Sequence, residues 1–315
     1  MMAIRDDATR ATGRRRFLGV CAAAGASCMM AGASPAGEPQ AVSLPTIQLG
    51  KHRVTRLVAG YNPIGGFSYL GHHMDQHMRE YYTVERTAEF LQRCEQQGIN
   101  THQFSPSDKM TQVLRLVRER GSKMQFICLH AGRSQVKSLA ESTRPIAMAH
   151  HGGVTDTLFA EGKSREVHDF VKAVHDQGLL AGVSAHNPDC IKRVADEGWE
   201  VDFFMGCFYF LTRRRPPGQD KSPPLPTLEI SYPFFRDDPP VMTQVIRQVK
   251  QPCFGFKILG SGRLCYSQQA VREAFKFAFT HIKPTDGVIV GMYPRFFDEI
   301  RANAQYTREL GRLPS

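Results

Sequence analysis

Histidines stand at the ends of four successive apolar runs: His102 with Gln103 beside it, then His130, the pair His150–His151, and His186. Imidazole is the commonest side-chain metal ligand and the side chain whose charge ordinarily changes near neutral pH. If a fold gathers these ends at one mouth, two chemistries are open. As a set, His102, His130, His150 and His186 suit zinc, iron, manganese or nickel. A divalent transition metal held there would polarise a carbonyl or activate water. That chemistry belongs to a lyase, isomerase or hydrolase acting on a sugar-like molecule, although no strand end carries the carboxylate of a sugar-isomerase site. The other chemistry is metal-free: hydrogen-bonded imidazoles, some of them moving protons. Spacing does not choose between the two, because the groups come from different strands and a one-residue slip reverses a strand's faces.

The elements that must position these groups alternate. Residues 46–54 read as a small hairpin turning at Gly50. Short apolar runs follow at 57–62, 99–104, 125–130, 146–151, 180–186, 201–208, 253–259 and 287–292. Between them lie segments of helical period. Val84, Ala88, Leu91 and Cys94 share one face behind a Thr83 cap; Met110, Val113, Leu114 and Val117 share another behind Ser107. Val167, Val171 and Val174 form a third stripe, Asn187–Pro188 opens a fourth helix, and 268–282 and 297–310 supply the last two. Eight strand–helix repeats predict a parallel sheet with right-handed crossovers, closed into a (β/α)8 TIM barrel. An open doubly wound sheet would need a glycine-rich fingerprint after its first strand, and Gly60 to Gly66 has the wrong spacing. Two insertions, 63–82 with His72, His73 and His77, and 211–240 with eight prolines, leave strand ends on the expected active-site face and are candidate lids.

The first 36 residues read as an address rather than as fold, leaving 37–315 as one barrel domain. Arg14–Arg15 before Phe17–Leu18, followed by an Ala- and Gly-rich apolar segment and a small-x-small site at Ala31–Gly32–Ala33, resemble a bacterial twin-arginine signal. The resemblance implies the twin-arginine export machinery as a partner, a periplasmic or cell-envelope destination, and export already folded with any cofactor inserted. Two of the eight cysteines fall in this signal, and the other six are scattered without a C-x-x-C, so neither structural zinc nor a required disulfide is expected. The mature chain offers no stable membrane span. With 42% hydrophobic and 22% charged residues the full 315-residue chain is neither disordered nor collagenous. Its net charge of +10 gathers into no long basic run, so a small-molecule substrate rather than nucleic acid is the expected partner.

Several segments, in order, resemble the aldo-keto reductase superfamily. They are Leu49–Gly50–Lys51 through Gly60, Gly98–Ile99–Asn100, Gly182–Val183–Ser184–Ala185–His186–Asn187, Val201–Asp202–Phe203–Phe204, and Val288–Ile289–Val290–Gly291–Met292 through Asn303. The resemblance covers about residues 46–306. It implies a barrel of the aldo-keto reductase type and a divergent NADP(H)-linked oxidoreductase acting on a carbonyl or sugar-like molecule. That family surrounds a tyrosine acid with a lysine, an aspartate and a histidine. Here Gln103 stands at the aspartate position, Asp108 falls near the tyrosine and His130 at the lysine, while His150 or His151 retains the histidine. For the cofactor, the resemblance places Phe208 against nicotinamide, Ser184 and Asn187 at its carboxamide, and Asn303 near the end. Lys257 and Gly260–Ser261–Gly262–Arg263 follow the seventh strand, where barrels bind phosphate, and Arg295 is set to meet a 2′-phosphate. An exported enzyme would need to carry its nucleotide permanently. A non-catalytic small-molecule-binding barrel is the third reading.

Overall fold

The computed structural model describes residues 43–213 and 232–312. The chain divides into Met1–Gln40 and Ala41–Ser315, and every described residue belongs to the second unit. The first 36 residues, expected to be an export signal, and most of the 211–240 insertion lie outside the described residues.

The chain opens with β1 (Thr46–Leu49) and β2 (His52–Thr55), an antiparallel hairpin that turns through Gly50 at φ 54°. It continues through β3 (Leu57–Gly60), α1 (Asn62–Gly65), α2 (His72–Tyr81), α3 (Val84–Gln96), β4 (Thr101–Phe104) and α4 (Asp108–Glu119). Then come β5 (Gln125–His130), α5 (Val136–Thr143), β6 (Ala147–His150), α6 (Gly152–Ala160), α7 (Ser164–His175), β7 (Leu180–Ala185) and α8 (Pro188–Asp196). The remainder is β8 (Phe203–Cys207), α9 (Asp238–Gln248), β9 (Cys253–Phe256), α10 (Gln268–His281), β10 (Gly287–Gly291) and α11 (Glu299–Leu310). Strands β3 to β10 pair in parallel and close in the order β10-β3-β4-β5-β6-β7-β8-β9. This is the (β/α)8 TIM barrel expected from the alternation. The 63–82 insertion folds into α1 and α2 rather than a bare loop.

Thr83 and Ser107 cap as expected, accepting hydrogen bonds from the N–H groups of Arg86 and Met110, and Ser267 caps α10 in the same way through the Ala270 N–H. Alternation along each strand divides the buried side chains into two layers. One contains no helix residue: Val58, Ile127, Ala147, Ala149, Phe203, Met205, Phe254 and Ile289 fill the barrel, and Ile47, Leu49 and Val54 of the hairpin join them as its floor. The other joins strand residues such as Phe104, Phe126 and Phe204 to helix residues such as Leu91, Val113 and Phe170. Each large apolar side chain so buried contributes about 2–3 kcal/mol. At the centre, a Cβ on Gly182 would stand 2.4 Å from the Phe203 ring, so this strand position has room for glycine alone. At the floor, the buried Arg56 guanidinium donates to the carbonyls of Asp286, Gly311 and Lys283 and lies 4.8 Å from the Phe279 ring centroid. It ties the start of the first barrel strand to the end of the chain. No described helix is long and apolar enough to cross a membrane.

Candidate active site

A cleft of about 450 Å³ opens at the C-terminal end of the barrel. Its inner wall carries Gln103, His151, Ser184, His186, Met205 and Phe256. It then runs outward between two loops. One follows β9 and holds Lys257, Ser261 and Gly262; the other follows β10 and leads to Glu299 and Asn303 on α11. The α1–α2 region closes the side with Tyr61, Tyr69, Leu70, Met74 and Met78.

The inner end is organised by a carboxylate with no counterpart among the residues singled out in the sequence. Asp156, in the second turn of α6 and 6% exposed, receives four donors. The His186 backbone N–H reaches its two oxygens at 3.2 and 3.0 Å, the Asn187 N–H donates at 3.2 Å, and Thr212 Oγ1 donates at 2.8 Å. The fourth is His186 Nδ1–H at 3.0 Å. Because an ionised carboxylate only accepts, this bond fixes the proton on Nδ1 and leaves Nε2 as the free nitrogen of a ring that lines the cleft. Burial lowers the pKa of His186, the Asp156 hydrogen bond opposes that, and the nearby Lys257 charge lowers it again. His151 is lowered to about 4, first by burial and then by His186 and Lys257. Both rings are therefore neutral at pH 7. The turn between β6 and α6 leaves no room to spare: a Cβ on Gly152 would lie 2.9 Å from Ser184 Oγ and 3.3 Å from His186 Cε1.

The predicted residues separate by strand face. Gln103, His151, Ser184, His186, Lys257, Ser261, Gly262 and Asn303 line one cleft. His102, His130 and His150 do not join His186 there, so the expected four-histidine metal set is not assembled. His102 is fully buried in the strand–helix layer, where Nδ1 donates to the Ala59 carbonyl at 2.8 Å, its ring sits beside Phe104 and Phe126, and Nε2 has no partner. His150 packs on Phe170 of α7 with Nδ1 2.7 Å from Thr155 Oγ1. His130 is half-buried and hydrogen-bonded to Gln135 at 2.7 Å. Successive strand residues face opposite ways, so the cleft takes Gln103 rather than His102, and His151 rather than His150. Among the described residues no cluster of three or more His, Cys, Asp or Glu is arranged to hold a metal ion.

Other expectations shift for similar reasons. Asp108 is exposed at the first position of α4, where a carboxylate complements the helix N-terminus instead of entering the cleft. Asn187 spends its side chain capping α8 through the Asp189 N–H. Phe208 lies outside the barrel wall, edge-on to Phe277 of α10, and a Cβ on Gly255 would meet it at 2.6 Å. Phe256 is the aromatic in the cleft, T-shaped to His186 at 5.5 Å. Arg263 stacks 3.9 Å over Phe234 and donates to the Tyr69 and Gly260 carbonyls, and Gly260 forms the turn at φ 57°. Arg295 is exposed at the rim over Tyr81. Asp156 had one signal in the sequence: it is the only charged residue in the apolar stretch from Gly152 to Ala160, and a carboxylate in an otherwise apolar short helix calls for a partner.

The displaced histidines have a consequence for stability. Burial holds His102 and His150 near pKa 4, below the ordinary 6.5. As pH falls, the unfolded chain takes up these protons before the folded chain does. Stability is therefore complete above about pH 6.5 and is lost between about 6.5 and 4, on the order of 2–3 kcal/mol per ring. Urea unfolding from pH 7.5 to 4.5 measures this, and His150→Phe is expected to flatten the slope. An unchanged slope in that variant would show that His150 does not fold neutral.

The fold and cleft define a (β/α)8-barrel protein with a cleft at the C-terminal mouth. Among solved structures the chain is similar to the HPPK-DHPS of Plasmodium falciparum, at 9% identity over 86% of this chain and 51% of that one, with a TM-score of 0.50. It is also similar to a truncated 3-deoxy-D-arabino-heptulosonate 7-phosphate synthase of Thermotoga maritima (14% identity, 85% of this chain and 90% of that one, TM-score 0.45). The N-acetylmannosamine-6-phosphate 2-epimerase of Clostridium perfringens follows (13%, 72% and 85%, TM-score 0.43). At these identities the likeness is one of fold. No protein-family model and no curated protein matches the sequence.

Proposed function

We propose that this protein is a divergent barrel oxidoreductase of the aldo-keto reductase kind, which uses NADP(H) and acts on a carbonyl-bearing small molecule. One observation carries the reading: a single cleft joins the Asp156–His186 pair to the loop after β9 and on to Asn303. That loop fits a phosphate. Ser261 and Gly262 take φ of 50° and 89°, and neither N–H makes a backbone hydrogen bond among the described residues. A Cβ on Gly262 would find only Leu70 Cδ1, at 3.5 Å, so the backbone lies open to a ligand. The N-terminus of α10 follows, with Gln268 in the cleft, and its dipole favours an anion. Asn303 is the retained polar group at the outer end.

When bound, the nucleotide supplies or accepts hydride. The protein's own work is at the oxygen of the substrate. Neutral His186 takes the proton from an alcohol oxygen on Nε2 and returns it to a carbonyl oxygen in the reverse direction. Asp156 stabilises the imidazolium between these events. His151, on the adjacent strand end, takes the orienting role that the resemblance assigned to His150 or His151. Export through the twin-arginine route, directed by Arg14–Arg15, remains part of the proposal and accounts for a nucleotide carried from the cytoplasm.

Titration of the full chain with NADPH, followed by fluorescence after a check for nucleotide already bound, tests the reading. Micromolar binding or a co-purified nucleotide is expected, and Gly262→Asp, which sets a carboxylate in the loop, is expected to weaken binding at least about tenfold. No carried nucleotide and no binding would overturn it.

A further inference from the structure

Three polar side chains in the cleft are more than nine-tenths buried and make no hydrogen bond among the described residues: Gln103 at 6% exposure, Ser184 at 1% and Asn303 at 3%. Native interiors rarely leave such groups unserved, because a buried donor or acceptor without a partner costs free energy. Among the described residues, the polar side-chain atoms sealed away without a partner are His102 Nε2 and Arg213 Nη1, so the three cleft side chains instead meet the open space of the cleft. Two of the three have an occupant in the proposed reaction. Asn303 stands at the outer end, with the nucleotide, and the family resemblance sets Ser184 against the nicotinamide carboxamide. Gln103 is left. It projects from β4 into a mouth that also holds His186, just past the end of β7. An eight-stranded barrel is only wide enough for facing side chains to fill it, so groups from these two strands serve one small molecule. Around them the wall is apolar: Leu129, Met205, Phe256 and Ile289 line the same inner end.

We infer that Gln103 binds a hydroxyl of the substrate, and that the substrate is a hydroxy ketone or hydroxy aldehyde with an apolar or aromatic body, its hydroxyl neighbouring the carbonyl served by His186. This rests on the oxidoreductase reading for the role of the carbonyl. The choice of group follows from the carboxamide, which offers an oxygen that accepts and an NH₂ that donates, and carries no charge. A hydroxyl both donates and accepts, so it serves either end of the carboxamide, and the vicinal hydroxyls of the reduced product serve both. A carboxylate would answer the NH₂ alone and set its second oxygen against Oε1. A simple ketone would leave the carboxamide unmet within an apolar wall. The aspartate that the family resemblance expects at this position could accept from a hydroxyl but not donate to one.

The test uses 2-hydroxyacetophenone, its methyl ether 2-methoxyacetophenone and acetophenone, titrated calorimetrically into the full chain. The hydroxy ketone is expected to bind about 5- to 10-fold more tightly than acetophenone, with the ether between them because it accepts but cannot donate. Gln103→Met is expected to abolish that preference while binding acetophenone no more weakly than the parent, which shows that the cleft is still formed. Its midpoint in urea is expected to match or exceed the parent's, because the carboxamide supports no bond within the described chain. No binding of the hydroxy ketone by the parent, equal binding of hydroxy ketone and acetophenone, or an undiminished preference in Gln103→Met would overturn the inference. So would a clear fall in the urea midpoint, which would make Gln103 a strut of the fold. The two readings fail separately. NADPH binding without a hydroxyl preference removes the hydroxy-ketone inference alone, whereas a Gln103-dependent preference without NADPH binding removes the nucleotide and leaves the hydroxyl site standing.

Discussion

His186→Ala is expected to lower NADPH-linked turnover of a carbonyl substrate by about 10²- to 10⁴-fold, the usual range for loss of a positioned acid–base group. The effect should lie in kcat more than in KM, because in the proposed reaction the ring acts on the proton in flight rather than on the bound ground state. The fold should survive. Asp156 keeps its backbone bonds to residues 186 and 187 and its bond to Thr212, and loses only the ring. A loss of about 1–2 kcal/mol in urea unfolding is therefore anticipated, since one hydrogen bond and one buried ring are removed without exposing the carboxylate to an unpaired site. Turnover within threefold of the parent would dismiss His186 from the chemistry and move attention to His151, the other imidazole in the cleft.

Asp156→Asn is expected to cost more in stability and nearly as much in rate. An amide matches the carboxylate in shape but brings two N–H donors to a site that already supplies four donors. One oxygen remains to accept, and the NH₂ faces donors that lose their acceptor. The penalty for buried groups left unsatisfied is about 3 kcal/mol. The ring also changes tautomer. With an NH₂ opposite Nδ1, that nitrogen becomes the acceptor and Nε2 carries the proton, so the cleft sees a donor where it had a base. Rate should fall by about 10²-fold or more, and the pH dependence of kcat/KM should lose its imidazole limb. Equilibrium unfolding and the pH–rate profile together decide this. A variant as stable as the parent with an unaltered profile would mean that the carboxylate serves neither as a strut nor in setting the tautomer.

Gly152 links these two predictions to the fold. The chain turns from β6 into α6 with no space for a side chain beside Ser184 and His186. That close approach lets Asp156, one helical turn further on, reach the end of β7. The dyad is thus assembled by the geometry of one strand–helix corner, 30 residues away from the imidazole it supports.

Much of the architecture was legible in the sequence. Alternating apolar runs and helical stripes predicted eight strands in their observed places, and Gly50, Thr83, Ser107 and Asn187 marked turns and caps where they occur. These features depend on neighbours within four residues, so local chemistry suffices. The loop after the seventh barrel strand was legible too, because its glycine-rich run follows a strand end in any barrel. What only the tertiary structure decided is which of two adjacent residues enters the cleft: Gln103 and not His102, His151 and not His150. Strand faces alternate every residue, and register is set by pairing with neighbouring strands, as when His130 pairs with His150 or Ala59 with His102. The Asp156–His186 bond belongs to the same class. No local pattern encodes it, because it forms only when a closed barrel brings the start of one helix against the end of the next strand.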